Sequence, residues 1–158
     1  MIGIHIYTAL YDAEAFRKLM KFIIITYTAG LIFFFLYPTC QNLRPAVMPR
    51  DNILTAFMED FYNFDTSTNV CPSLHVVGSM AVMFTAWNTK GLQSDKWKTA
   101  FAIMTFLICI STVFLKQHSV IDTVVGFIIC VAAYPVCFWE PAEKARAPLR
   151  RKKTKLYE

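Results

Sequence analysis

The sequence predicts an all-α integral membrane protein, a helical bundle of four full spans plus a partial helix at the N-terminus. Three observations carry that prediction. The chain is 56% hydrophobic with only 17% charged residues, and its mean hydropathy is +0.41, a balance foreign to soluble domains of this length. Apolar runs at 22–37, 74–87, 97–115 and 119–139 each supply most of the ~20 residues that a spanning helix requires. Basic residues gather in segments that alternate with those runs.

Taken in order, residues 1–10 are apolar but too short to cross a bilayer, and they lack the basic start of a signal peptide. They read as the end of a longer helix, which sets the expectation of a chain shortened at its N-terminus. His5 within them reads as a packed or interfacial side chain. Residues 11–21 form a short link of helical pattern, and the first span runs from 22 to Pro38, which cannot continue the hydrogen-bond ladder. The segment 38–72 holds Pro38, Pro45, Pro49 and Pro72, mixed charge and several aromatics, and is long enough to fold back as a lid. Within it 52–62 has helical spacing with Asn52 or Asp51 as N-cap, and its apolar face either packs on the bundle or lies at the membrane interface. The run 74–87 is the weakest span, being short and interrupted by His75, Gly78 and Ser79. A tight turn at 91–95 leads to the last two spans. Residues 1–142 thus form one membrane domain and 143–158 a basic tail.

Charge sets the expected orientation. Arg17, Lys18 and Lys21 precede the first span, Lys90, Lys96 and Lys98 lie between the second and third, and the basic tail follows the fourth. Four spans put all three segments on one side, which the positive-inside rule makes cytoplasmic in a multi-pass cell-membrane protein. Beside a membrane exit the tail reads as an anchor against anionic headgroups rather than a nucleic-acid patch. The bilayer is therefore the expected partner, and the sequence carries no signal for an oligomeric state. Cys109, Cys130 and Cys137 fall in spans as small apolar packers, while Cys40 and Cys71 flank the outer segment, where a disulfide is permitted. No cysteine or histidine spacing points to a metal site, and no cofactor is expected.

Three polar clusters fall on the opposite, outer face. The first is Arg44-Pro45, the second is Pro72-Ser73-Leu74-His75, and the third runs from Ser111 to Asp122 and includes Lys116 and His118. His118 and Asp122 are one helical turn apart, close enough for the carboxylate to accept a ring N–H, and Ser111 lies about two turns before. Ionisable groups at the ends of spans are costly and usually functional. Arginine binds phosphate through a planar fork and lysine as a point charge, so this mixture suits a phosphate group. Ser73, opening a helix after Pro72, would aim backbone N–H groups at the same anion.

These residues resemble the type 2 phosphatidic acid phosphatase superfamily of lipid phosphatases and phosphotransferases, whose signature is K-x6-R-P, P-S-G-H and S-R-x5-H-x3-D. Here P-S-L-H stands at Pro72 to His75, S-T-x5-H-x3-D at Ser111 to Asp122, and Arg44-Pro45 closes the first part. The resemblance implies that His118 attacks phosphorus and carries a phosphohistidine. Asp122 would hold its tautomer, as the carboxylate does in a Ser-His-Asp triad, and His75 would protonate the leaving alcohol. Arg44, Ser73, Ser111 and the local backbone would neutralise the phosphoryl oxygens, and Lys116, outside the signature but on the outer side near His118, is a candidate to replace a cation that the signature has and this chain lacks. The substrate implied is a lipid or isoprenoid phosphate, and no metal is required.

The sequence also departs from the signature. Tyr37 stands where the family has lysine, Thr112 where it has arginine, and Leu74 where it has glycine. That pattern resembles the branch of inositolphosphorylceramide and sphingomyelin synthase-like proteins, which transfer a phosphorylated headgroup to a lipid hydroxyl. Headgroup transfer is thus one alternative to hydrolysis, and a non-catalytic lipid-binding protein is another. The family's usual six helices agree with the expectation of a shortened N-terminus.

Overall fold

The computed structural model describes residues 2–48 and 50–139, and among them the regular structure is helical. The elements are α1 (Ile2–Tyr11), α2 (Ala13–Leu36), α3 (Ile53–Phe64), α4 (Leu74–Asn88), α5 (Asp95–Phe114) and α6 (Val120–Phe138), with a short 3-10 turn at Lys90–Leu92. The basic tail and the 142/143 boundary lie outside the described residues.

α2, α5 and α6 are long and apolar enough to cross a membrane. α4, with 15 residues, is only about 22 Å long, short of a ~30 Å hydrocarbon core. It compensates by burial: every residue from Val76 to Ala86 is buried, as expected for a helix that is hydrophobic all round. α2, α5 and α6 pack around it. Leu19 and Phe22 of α2, Val77, Met80 and Phe84 of α4, and Cys130 and Phe138 of α6 form the core. Phe22 meets Phe84 edge-on at 5.8 Å, and Phe84 meets Tyr134 at 4.6 Å. Thr105 ties α5 to α4 by donating to the Ser79 carbonyl at 3.2 Å.

The first long helix begins earlier than its apolar run. Asp12 caps it, accepting from the Ala15 N–H at 3.0 Å, and Glu14 pairs with Lys18 one turn on at 3.1 Å. Residues 13–21, expected as a link, are therefore the first turns of α2. Lys21 donates to the Val136 carbonyl at the far end of α6, at 2.8 Å. Lys18 and Lys90 line one cleft with Asp12 and Asn88. The basic starts of α2 and α5 and the end of α4 thus share one end of the bundle, and the three polar clusters share the other.

α5 and α6 both pack on α4 but scarcely on each other. Between them opens a wedge of about 620 Å³, lined by Met80, Met83, Thr105, Phe106, Val124 and Phe127 among others.

Candidate active site

The α5–α6 turn is built by the end of α5. With Leu115 as the cap, Gln117 N–H donates to the Thr112 carbonyl at 3.0 Å and Lys116 N–H to the Val113 carbonyl at 3.0 Å, a Schellman motif. Lys116 takes the left-handed position, φ 52°, that usually falls to glycine. His118 N–H also donates to the Thr112 carbonyl, at 3.2 Å. Thr112 is buried, so the residue at the family's arginine position serves the turn through its backbone.

His118 is thereby pushed inward and is only 8% exposed. Its Nδ1 lies 2.8 Å from the Val70 carbonyl, a group that can only accept, so Nδ1 carries the proton and Nε2 keeps its lone pair. Nε2 stands 3.1 Å from Nδ1 of His75, whose N–H is then the donor. Burial pushes the His118 pKa below its usual range; the Val70 and Asp122 contacts offset this in part, and His75 reinforces it. His75 is exposed, the rings meeting edge-on at 5.3 Å over a pocket of about 160 Å³ whose walls include Phe34, Asp65, Leu74 and Gln117.

Asp122 departs from the sequence expectation in one respect. Its carboxylate lies 3.9 Å from His118 Nδ1, within ion-pair reach, but the ring N–H goes to Val70. At the third position of α6, Asp122 forms a capping box with Ser119, accepting that residue's N–H at 2.7 Å. Burial, with the negative charge of this carboxylate nearby, raises the Cys71 pKa. Cys71 and Cys40 are both free, so the permitted disulfide is not formed.

The expected phosphate ligands are distributed unevenly. Ser73 is fully buried as the cap of α4; its hydroxyl accepts from Val76 N–H at 3.5 Å, and its own N–H donates to the Asp122 carbonyl at 3.1 Å. Ser111 is exposed, its hydroxyl donating back to the Ile108 carbonyl at 2.8 Å. Lys116 is exposed and contributes its carbonyl, which accepts from Gln41 at 3.1 Å and Arg44 Nε at 3.5 Å. Arg44 reaches the site end but is fully engaged. It pairs with the Asp65 carboxylate at 2.7 Å, donates to the Tyr62 carbonyl at 3.2 Å and to the Asp65 carbonyl, and stacks over the Tyr62 ring at 4.6 Å. Gln117 donates to the same carboxylate at 3.3 Å.

Sequence reasoning missed Val70, Asp65, Gln117, Gly30 and Gly126. Val70 acts through its backbone and carries no side-chain signal. The glycines were findable as isolated glycines in apolar helices. A Cβ on Gly126 would stand 3.0 Å from the Ser73 carbonyl oxygen, and one on Gly30 3.1 Å from Leu74 Cδ2. α2 thus makes room for the leucine that replaces the signature's glycine.

Among the described residues no cluster of three or more His, Cys, Asp or Glu could hold a metal. A family model, that of the PAP2 superfamily, matches residues 18–145. No curated protein and no solved structure matches the chain.

Proposed function

The chain belongs to the PAP2 superfamily, the type 2 phosphatidic acid phosphatases, which makes it a phosphatase-type lipid phosphoesterase in class, and we propose that it hydrolyses a lipid or isoprenoid phosphomonoester or diphosphate through a phosphohistidine on His118. The observation that carries this reading is the His118 ring, its Nδ1–H donating to the Val70 carbonyl and its Nε2 lone pair facing His75 at 3.1 Å.

In the proposed reaction Nε2 attacks phosphorus and the P–O bond to the lipid alcohol or pyrophosphate oxygen breaks. His75 gives the leaving oxygen its proton. The positive charge on the phosphorylated ring is stabilised by the Val70 carbonyl and by Asp122 at 3.9 Å. Water, deprotonated by His75, then attacks the phosphohistidine, releasing phosphate and restoring Nε2. A 3.1 Å gap between the two ring nitrogens leaves no room for a phosphoryl group, so the exposed His75 swings aside as substrate enters. Arg44 is the phosphate ligand in this scheme, exchanging the Asp65 carboxylate for substrate oxygens. No metal takes part. Ser73, Ser111 and Lys116 act by holding the helix ends that frame the pocket.

We place the site on the extracytoplasmic face, with α4 as a fourth span shielded inside the other three. The basic residues at the opposite end support this orientation. Headgroup transfer to a lipid hydroxyl uses the same steps with an alcohol in place of water. The apolar wall at Phe34, Val70 and Leu74 favours that acceptor.

The test is turnover of phosphatidic acid and an isoprenoid diphosphate by purified protein, with rapid quench of labelled substrate. His118→Ala is expected to lower kcat by on the order of 10³-fold or more and to abolish the acid-labile phosphoenzyme. Unaltered turnover in that variant overturns the reading. Product analysis with a diacylglycerol acceptor separates transfer from hydrolysis.

A further inference from the structure

α3 is a well-formed helix with no buried residue. Asn52 and Thr55 close a capping box at its start, and Asp65 at its end is clamped by Arg44. Ile53, Leu54, Phe57 and Phe64 are 67–88% exposed. At about 100° per residue these four and Phe61 fall within one arc of the helix, while Glu59, Asn63, Ala56 and Asp60 fall on a second arc that starts opposite it, at Glu59, and runs round to the flank of Ile53. The edge between the arcs, at Tyr62, is where α3 is fastened to the bundle, through the Arg44 hydrogen bond and ring stack. The apolar face is thus turned neither onto the bundle nor shielded by its own helix.

The fastening fixes the level at which the helix lies. Arg44 also donates to the Lys116 carbonyl, where α5 ends, and the strand-like pairing of Cys40 with Thr68 ties the segment after α3 to the residues just beyond α2. The same level carries an exposed apolar rim: Phe35, Leu36, Tyr37, Phe114, Val120 and Ile121 are 62–88% exposed. In a protein whose long helices cross a bilayer, that rim is where hydrocarbon gives way to headgroups.

We propose that α3 is a membrane-interface helix, lying in the leaflet beside the histidine pair with Ile53, Leu54, Phe57 and Phe64 buried at the headgroup–acyl boundary. Its polar arc carries Glu59 and Asp60 and no basic residue, so apolar burial drives the association rather than attraction to anionic lipids. The assignment stands independently of the chemistry at His118.

The full-length chain reconstituted in phosphatidylcholine vesicles provides the test. Phe57→Trp and Glu59→Trp place a probe on either arc at exposed positions, and subtracting the parent's emission removes the contribution of the native tryptophans. Circular dichroism matching the parent shows that each variant is folded. The added Phe57→Trp emission is expected to be blue-shifted and mostly lost to lipids brominated near the top of the acyl chain. That of Glu59→Trp is expected to be quenched by aqueous iodide instead. Iodide quenching of both probes overturns the proposal. So does a Phe57→Trp probe shielded from iodide and brominated lipid alike, which would assign the face to a second copy or another protein.

Discussion

At the scale of single residues, the candidate site rests on where protons sit. The Val70 carbonyl fixes the His118 tautomer more directly than any carboxylate, leaving Asp122 to supply charge and to cap α6. Because the folded-state pKa of His118 is depressed, the unfolded chain takes up the proton first as pH falls. Stability is therefore lost as pH drops from the ordinary histidine range through the folded pKa, and is regained on raising it. A thermal midpoint in detergent that falls between about pH 7 and pH 5, with the slope flattened by His118→Gln, is the expected result. Asp65 is the second residue of consequence, since it occupies the Arg44 fork that the proposed reaction gives to phosphate. Asp65→Asn is expected to lower KM for a lipid phosphate a few-fold while costing roughly 1 kcal/mol of stability from the part-buried pair. A stability loss with KM unchanged would make Asp65 a structural latch only. His75, His118, Asp122 and Arg44 were legible in the sequence because spacing and residue type pointed to them. Val70 and the occupancy of Arg44 were not, because a backbone carbonyl and a folded-back loop leave no mark in residue order.

Among the elements, α4 organises the site. Its start carries Ser73 and His75, and α6 approaches that start closely because Gly126 has no side chain. Gly126→Ala puts a methyl group 3.0 Å from the Ser73 oxygen, and backbone at that distance does not yield cheaply. We expect destabilisation of about 1–3 kcal/mol, read from thermal melts, with lower activity as His75 and His118 are moved apart. The helices themselves were legible from their apolar runs. The start of α2 was legible only in part: 11–21 has a helical pattern, but it takes the Asp12 cap and the Glu14–Lys18 pair to make it continuous with the apolar run. Lys116 was expected to offer its ammonium. The Schellman turn also uses its left-handed backbone, a conformation that spacing rules assign to glycine.

The described part of the molecule gathers four helix ends at one pole and, among the described residues, most of the basic side chains at the other. What the sequence does not reveal is how loosely the last two helices close. The wedge between α5 and α6 holds about 620 Å³ of space bounded almost wholly by hydrocarbon side chains. In water such a gap would be a defect, since its lining lacks packing partners. In a bilayer we expect lipid tails to fill it as a borrowed part of the interior, the solvent completing the packing that the chain leaves unfinished. The melting temperature should accordingly track the length and saturation of the host lipid's tails more steeply than that of a variant whose gap is filled from within. Thr105→Leu and Val124→Phe together provide that comparison. Equal dependence in both proteins would show that the tails do not enter the wedge.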